Sequence, residues 1–358
     1  MGYGVINSDL ITTSDGVSSA GLYGFKNKII NGSMVIDQRN AGASVTPTST
    51  ITYTLDRWAA VISQASKFTV QQNAASVTPP VGFSNYLGIT SSSAYSALTG
   101  DYFFVQQVIE GFNASDLAWG TASAQTVTLS FWVRSSLTGT FSGALRNSAQ
   151  NRSYPFTYTI SAANTWEQKS VTIAGDTSGT WVTNNGAGIY ISLNLGAGAT
   201  FSGTASAWAA GNFTSATGAT SVVGTSGATF YITGVQLEKG STATSFDYLD
   251  YGRSLAQCQR YYERQVWSTG AAAALLLNTG YTNGVANVFQ TFKFAVEKRA
   301  AATTTKLGTW SVSNAGQPLV YGSDTFGCSL YFVSTGAASS PYALAAGSGQ
   351  GFDATAEL

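Results

Sequence analysis

The sequence predicts an all-β protein, and three observations support this fold class. Apolar and polar residues alternate along many short segments, which is the pattern of half-buried antiparallel strands. β-Branched and aromatic residues fill these segments, and 39 glycines lie in and between them against only 6 prolines. A hydrophobic fraction of 44% supplies enough apolar surface for a folded core. We therefore expect an antiparallel jelly-roll sandwich, a short connecting helix and a second, smaller C-terminal β-sandwich.

The individual strands are predicted from this alternation. Residues 126–134 and 189–195 each place their apolar side chains on one face and their polar side chains on the other. An Asn-Gly hairpin is predicted at Asn31 and Gly32. Further strands are predicted at residues 66–72, 101–110, 154–160, 166–173 and 228–238, and in the C-terminal region at 288–296 and 326–333.

Changes in composition divide the chain into four predicted parts. Residues 1–26 are rich in Gly, Ser and Thr with weak periodicity, which indicates an extended N-terminal arm. Residues 27–250 carry the dense strand pattern of the jelly roll. Residues 251–266 are predicted as the connecting helix, capped by Ser254 and with Leu255, Cys258 and Tyr262 on its apolar face. Residues 267–358 resume the strand pattern and form the smaller sandwich.

The charge balance limits the kinds of partner. Charged residues make up 9% of the chain, and 17 basic residues balance 17 acidic ones. No surplus charge exists to attract nucleic acid or an anionic membrane. The longest apolar run, 271–277, is too short to cross a bilayer, and the start does not resemble a secretion signal. We expect cytosolic synthesis, no membrane insertion and, because so few charges oppose self-association, a permanent oligomer.

The residue inventory argues against an enzyme. The absence of His removes Ser-His-Asp and Cys-His catalysis and the common zinc motifs, and no phosphate-binding loop is present. We expect no cofactor; a structural calcium remains an alternative without a loop motif to support it. Cys258 and Cys328 are predicted as buried thiols, and a disulfide between them is the alternative. A pair of carboxylates that cleaves a glycan without His also remains an alternative. The candidates for that pair are Asp101, Glu110, Asp116, Glu167, Asp176 and Glu238.

Tryptophans in loop-like sequence suggest a sugar-binding surface. Flat aromatic faces stack on sugar rings, and a neighbouring Asn or Thr can hydrogen-bond the hydroxyl groups. Trp166 and Trp310 share this loop-like setting, but other positions are preferred. The candidates for glycan stacking are Trp119, Trp181 and Trp208, with Asn184 and Asn185 beside them. The alternative is that each ring packs over an end of the sandwich or in a subunit interface, because Trp is usually largely buried.

Several ordered motifs resemble a known class of proteins. Residues 26–42, KNKIINGSMVIDQRNAG, and TLDRW at 54–58 are similar to the opening of phage tail-fibre and minor virion proteins. VTLSFWVR at 127–134 and NTWE at 164–167 resemble strands of the carbohydrate-binding-type jelly roll that those proteins carry. FYITGVQLE at 230–238, followed by CQRYY at 258–262, resembles the same class. The resemblance extends over nearly all of the chain from Lys26 onward.

This resemblance implies a role in a bacteriophage particle. It implies a homotrimer, an N-terminal arm that binds other virion proteins and a distal surface that meets host polysaccharide, and it supplies no catalytic residue. The prediction is a trimeric tail fibre or receptor-binding subunit, located in the virion and released by lysis. One alternative is a head-decoration protein, a cement or head fibre of the capsid. Another is a glycan depolymerase, which the missing β-helix period disfavours.

Overall fold

The structure is a computed structural model of the 358-residue chain. It describes residues 26–267, 275–281, 286–337, 339–346 and 349–358. The predicted N-terminal arm lies outside the described residues, apart from Lys26. The chain divides into two compact units, residues 1–251 and 252–358.

The described part of the N-terminal unit is built almost wholly from strands. These strands are β1 (Ile51–Leu55), β2 (Trp58–Ile62), β3 (Phe68–Gln72), β4 (Leu87–Ser91), β5 (Tyr102–Glu110), β6 (Val127–Ser135), β7 (Gly139–Asn147), β8 (Arg152–Ile160), β9 (Glu167–Ile173), β10 (Ala187–Ala197), β11 (Ser202–Gly203), β12 (Ala209–Ala210), β13 (Ser215–Ala216) and β14 (Thr229–Lys239). The predicted strands of this unit are confirmed, with ends that shift by a few residues.

Two antiparallel sheets face each other across the core of this unit. The larger has seven strands in the order β1-β2-β5-β10-β7-β8-β12, and the smaller has five in the order β3-β4-β14-β6-β9. Consecutive strands cross repeatedly from one sheet to the other, as in a jelly roll. Phe131 and Val133 of β6 and Ile191 and Leu193 of β10 lie buried between the sheets. The predicted antiparallel sandwich is thereby confirmed.

The segment from Lys26 to Gly32 packs along β14. A bulge at Gly234 and Val235 interrupts the pairing of β14 with β6 and leaves the backbone groups of Val235 free for this segment. The N–H of Val235 donates to the carbonyl of Gly32 at 2.9 Å. A Cβ atom on Gly32 would lie 2.1 Å from the Val235 carbonyl oxygen, so only glycine fits there. The predicted Asn-Gly hairpin is wrong: residues 31–34 form a turn without flanking strands.

The C-terminal unit begins with one short helix. Helix α1 covers Tyr251–Gln259, whereas the sequence predicts a helix as far as residue 266. The difference arises because residues 262–267 form a strand that pairs along its whole length with the last strand of the chain, a contact too distant in sequence for local patterns to reveal. Ser254 lies inside α1 and not at its start. No helix in the described parts of the chain is long and apolar enough to span a membrane.

The remaining strands of this unit form three small antiparallel sheets. The strands are β15 (Tyr262–Trp267), β16 (Leu275–Tyr281), β17 (Asn287–Lys293), β18 (Thr303–Leu307), β19 (Ser311–Ser313), β20 (Leu319–Ser323), β21 (Gly327–Val333), β22 (Pro341–Ala346) and β23 (Gln350–Thr355). The sheets have the orders β15-β23-β18, β16-β22-β19 and β17-β21-β20. Leu330 and Phe332 of β21 pack with Leu344 of β22 and Trp310 in one buried cluster. Cys258 and Cys328 are both buried and are not joined by a disulfide.

Candidate functional site

The three predicted stacking tryptophans lie together in the N-terminal unit. The ring centroid of Trp119 lies 4.8 Å from that of Trp181 and 5.4 Å from that of Trp208, and the latter two are 5.4 Å apart. All three pairs meet edge to face, the geometry that aromatic rings prefer. Tyr154 adds a fourth ring, 5.3 Å from Trp208. Loops from separate parts of the chain thus converge on one aromatic cluster.

The polar edges of these rings are already engaged within the chain. The indole N–H groups of Trp119, Trp181 and Trp208 donate to the backbone carbonyls of Gln125, Ser178 and Ala174 at 2.7, 3.2 and 2.7 Å. Trp119 is 7% exposed, and the other two rings are half-buried against the core. The cluster therefore joins the loops at this end of the unit, and glycan stacking by its exposed parts stays a prediction.

The two predicted asparagines lie on the exposed loop that follows Trp181. The Asn184 side chain accepts the N–H of Gly186 at 2.8 Å, and its carbonyl accepts the N–H of Phe112 at 2.9 Å. Asn185 is also exposed. Asn184 therefore shapes the loop that carries Trp181. The remaining two loop tryptophans lie elsewhere: Trp166 donates to the carbonyl of Thr78, and Trp310 is in the C-terminal core.

The acidic residues considered for glycan cleavage have structural contacts. Asp176 forms two hydrogen bonds with Arg152 at 2.6 and 2.8 Å, and these raise the pKa of the arginine. Glu167 pairs with Lys169, whose hydrogen bond is the main cause of the lowered pKa of that carboxyl. Asp116 pairs with Lys28, and Glu238 accepts two hydrogen bonds from Thr244. These carboxylates act as anchors of loops and strand ends.

A pocket of about 380 Å³ lies in the C-terminal unit, on the sheet β17-β21-β20. We call it the C-terminal pocket. Its lining includes Thr291 and Lys293 of β17, Tyr321 of β20 and Ser329 of β21, and Phe326 lies in the turn before β21. The volume falls within the roughly 300–1,000 Å³ typical of small-molecule sites.

Two aromatic side chains of this pocket are largely exposed to solvent. Tyr321 is 69% exposed and Phe326 is 63% exposed. Tyr321 also meets Phe289 edge to face, with ring centroids 4.9 Å apart, and Tyr331 lies 6.1 Å from Tyr321. Phe289, Tyr321 and Tyr331 therefore form a ring cluster that continues from the pocket along the outer face of the sheet. Exposed apolar patches of this kind often mark binding sites.

Polar groups lie beside these rings. The hydroxyls of Thr291 and Ser329 are 3.0 Å apart on neighbouring strands. One carboxylate oxygen of Asp324 accepts the backbone N–H groups of Phe326 and Gly327 at 2.7 and 2.8 Å. These hydrogen bonds lower the pKa of Asp324, which is exposed to solvent. Lys293 is exposed and forms no ion pair with any described residue. The pocket thus offers aromatic faces, hydroxyls and both signs of charge.

The sequence pattern does not predict this pocket. It places Phe326 on the apolar face with Cys328 and Leu330, but β21 begins at Gly327, and Phe326 belongs to the turn that Asp324 closes. A signal was nevertheless present. Phe289 and Tyr331 occupy the alternate positions of their strands, where a solvated face would carry polar residues. Within the described ranges, no group of three or more Cys, Asp or Glu side chains is arranged to hold a metal ion.

The chain resembles known proteins in structure but not in sequence. It matches no protein family and no curated protein by sequence, so the predicted phage class stays a prediction. Similar solved structures include the enzymatically active domain of tailspike protein 4 of bacteriophage CBA120, at 13% identity and a TM-score of 0.32, over 60% of this chain and 21% of that one. The carbohydrate-binding module TmCBM61, solved with β-1,4-galactotriose, matches at 9% identity and a TM-score of 0.29, over 60% of this chain and all of its own.

A third similar structure is the family 11 carbohydrate-binding module of a cellulosomal cellulase of Clostridium thermocellum. Its identity is 11% and its TM-score 0.27, over 56% of this chain and 98% of its own. Such low TM-scores assign no function to this chain.

Proposed function

We propose that the chain is a bacteriophage virion protein that binds glycans of the host surface through the C-terminal pocket. The observation that carries the proposal is the pair of exposed rings, Tyr321 and Phe326, that line one cavity together with hydroxyl and charged side chains. A sugar ring presents apolar C–H faces and a rim of hydroxyls. The pocket matches both features, because its rings supply apolar faces and its side chains supply hydrogen-bond donors and acceptors.

Binding without cleavage fits the rest of the molecule. The carboxylates Asp116, Glu167, Asp176 and Glu238 already hold lysines, an arginine or backbone groups. Asp324 is the only carboxylate among the lining residues of the C-terminal pocket, whereas glycan hydrolysis ordinarily needs two. The pocket is therefore assigned to recognition.

The virion role rests on the motifs of the sequence and on its low charge. In this proposal the N-terminal residues bind other virion proteins, and the chain assembles as a homotrimer that covers part of its weakly charged surface. The C-terminal pocket then faces host polysaccharide. The trimer is tested by light scattering of the purified full chain, where a mass near three chains supports it and a monomer contradicts it. Immunogold labelling of phage particles separates a tail fibre from a head-decoration protein.

The glycan-binding proposal is tested with two single variants and one control. Y321A and F326A each remove an exposed ring from the pocket. F112A removes a ring that is 60% exposed in the N-terminal unit, outside the pocket. We expect Y321A and F326A to bind host polysaccharide about tenfold more weakly, since about 1.4 kcal/mol of lost contact is a factor of ten. F112A should bind like the unaltered chain.

Measurement of the oligomeric mass separates a loss of glycan binding from a loss of assembly. The variants should keep the oligomeric mass of the unaltered chain, so that a loss of binding reflects the pocket and not assembly. If Tyr321 and Phe326 are instead covered by a second copy, Y321A and F326A will change the mass and leave the affinity per chain unchanged. Unchanged affinity in both variants would overturn the assignment of the pocket.

A further inference from the structure

Arg146 is a buried cation on the outer side of the seven-stranded sheet. It belongs to β7 and lies opposite Tyr190 of β10 and Ser153 of β8. The neighbouring residue Leu145 faces the core, so Arg146 points away from it. Even so, its side chain is only 2% exposed. It therefore lies beneath other side chains on a face that a sandwich usually leaves to solvent.

The contacts of this guanidinium are all neutral. Nη1 donates to Asn212 Oδ1 at 2.7 Å and to Gln150 Oε1 at 3.3 Å, and Nη2 donates to Gln106 Oε1 at 3.3 Å. The Nε group is buried and has no acceptor. The guanidinium carbon lies 5.1 Å from the ring centroid of Phe104 and 5.5 Å from that of Tyr190. Amide oxygens and aromatic faces thus take the place of a counter-ion.

Two partly buried arginines of the chain have a carboxylate partner. Arg152 pairs with Asp176, and Arg264 pairs with Asp353. Arg146 forms no ion pair with any described residue. A buried charge without a counter-charge is costly, and a methionine would fill the same space without that cost. Burial lowers the pKa of Arg146 to about 10, so the group remains charged at neutral pH.

We propose that Arg146 is an anion site that binds the carboxylate of an acidic sugar. A guanidinium N–H group forms a strong, charge-assisted hydrogen bond with a carboxylate oxygen. The half-buried Tyr190 lies beside it and supplies an aromatic ring that a sugar can contact, whereas Phe104 is buried. The proposal extends glycan binding to the N-terminal unit and names a sugar class, but it does not depend on the C-terminal pocket.

Two side chains that cover Arg146 lie between it and the solvent from which a ligand would approach. Asn212 and Gln150 are half-buried, and Asn212 Nδ2 donates to Gln150 Oε1 at 3.1 Å. Both lie in turns, Gln150 between β7 and β8 and Asn212 between β12 and β13. In this proposal these two side chains rotate to uncover Nη1, which requires no movement of a strand. Their amide oxygens are neutral substitutes that a carboxylate oxygen displaces, because a charge-assisted hydrogen bond is stronger than a neutral one.

The test compares ligands on the full chain. Oligogalacturonate is the acidic probe, galactose oligomers of the same length are the neutral probe, and inorganic phosphate is the simple anion. We expect calorimetry to show about tenfold tighter binding of the acidic probe, roughly the 1.4 kcal/mol that one charge-assisted contact supplies. R146M should abolish this preference, and R146K should retain part of it. R134M changes an arginine on the other sheet and should leave the preference intact.

The outcomes separate this proposal from the first one. Y321A and F326A leave Arg146 untouched, so the preference for the acidic probe should persist even if both lose affinity for neutral glycan. R146M is expected to fold, since it removes a buried unpaired charge, and R146K supplies a second variant. Equal affinity for acidic and neutral probes, or a preference that survives R146M, would overturn the anion site. Displacement of the acidic probe by equimolar phosphate would overturn its assignment to a sugar carboxylate.

Discussion

The side chain of Asn27 forms hydrogen bonds with a backbone carbonyl and a backbone N–H group at the bulge in β14. Its Nδ2 donates to the carbonyl of Val235 at 3.1 Å, and its Oδ1 accepts the N–H of Leu237 at 3.1 Å. The two regions that resemble phage fibre proteins, residues 26–42 and 230–238, therefore meet in space. The segment before β1 is part of the sandwich because it satisfies backbone groups that the bulge leaves unpaired.

This arrangement predicts that N27A lowers the stability of the N-terminal unit. Removing the amide leaves the Val235 carbonyl and the Leu237 N–H without their partner, which should cost about 1–3 kcal/mol. The free energy of unfolding is measured by urea denaturation. N113A is the matched control, since Asn113 is exposed and its side chain makes no hydrogen bond in the described structure. An unchanged stability of N27A would contradict the role of this contact.

The tryptophan cluster predicts that W208A destabilises the same unit. Trp208 contacts the rings of Trp119, Trp181 and Tyr154, and its loss leaves a gap among them. Because the ring is half-buried, we expect a cost near the lower end of the about 3–5 kcal/mol of Trp-to-Ala changes in cores. W208F should cost less, since it keeps an aromatic ring.

A third variant, W181A, tests glycan stacking by the cluster. W181A changes a half-buried ring that is not part of the central core. If stacking on Trp181 contributes, the folded W181A protein loses affinity for host polysaccharide in addition to any loss of stability. Loss of stability without loss of affinity in the folded protein would leave the cluster with a structural role only.

The sequence predicts most of the fold because strand alternation is a local signal. Four apolar residues on one side of residues 126–134 are enough to place β6 and its buried face. The helix end, by contrast, depends on Tyr262–Trp267 pairing with Gln350–Thr355, almost ninety positions away. The absent hairpin at Asn31 also depends on a distant partner, the bulge at Val235. The local pattern therefore predicts strands that are defined by the alternation of apolar and polar residues. It fails where pairing with a distant segment determines the structure.

The candidate sites were only partly predictable for the same reason. Loop-like composition identifies the tryptophans, and the structure brings three of them together. The composition of the loops cannot show that the indole N–H groups donate to backbone carbonyls. The C-terminal pocket arises because Tyr321 and Phe326, from a strand and a turn, reach one cavity. Arg146 is even less visible, since nothing in its sequence neighbourhood indicates that its contacts are all neutral.

Asp101 predicts a dependence of stability on pH. Burial is the largest influence on its pKa and raises it, but hydrogen bonds from the Leu98 N–H, Tyr95, Ser63 and Gln64 together lower the pKa below its ordinary value. The ionised carboxylate is thus favoured in the folded state. Its contribution to stability is present above the unfolded pKa of about 3.9 and is lost as the pH falls through the folded pKa.

The measurement compares D101N with the unaltered chain between about pH 6 and 2. The difference in unfolding free energy should be largest at the upper end and shrink as the pH falls. S63A removes a donor that lies 2.8 Å from Asp101 Oδ1, so it should raise the pKa of Asp101 seen by carboxyl NMR. A stability difference that stays constant over this range would refute the coupling.

The last prediction concerns a buried ion pair in the C-terminal unit. Lys298 Nζ lies 2.5 Å from Glu263 Oε2, and the two side chains are 0% and 1% exposed. Burial lowers the pKa of Lys298, while the hydrogen bond to Glu263 opposes that shift. Glu263 also accepts the N–H of Ala295 at 3.0 Å. K298M would leave the carboxylate buried without its cation, which should cost about 3–5 kcal/mol.

The double variant E263Q/K298M separates the effect of the unpaired charge on stability from the effect of altered packing. Glutamine keeps an oxygen for the Ala295 N–H but carries no charge, so the double variant should be more stable than K298M alone. Hydrogen-exchange mass spectrometry of peptides from β15 and β23 reports the stability of this unit apart from the N-terminal one. Exchange should be fastest in K298M and slower again in E263Q/K298M. If the effects of the two substitutions on stability are additive, the uncompensated charge is not the cause of the lower stability of K298M.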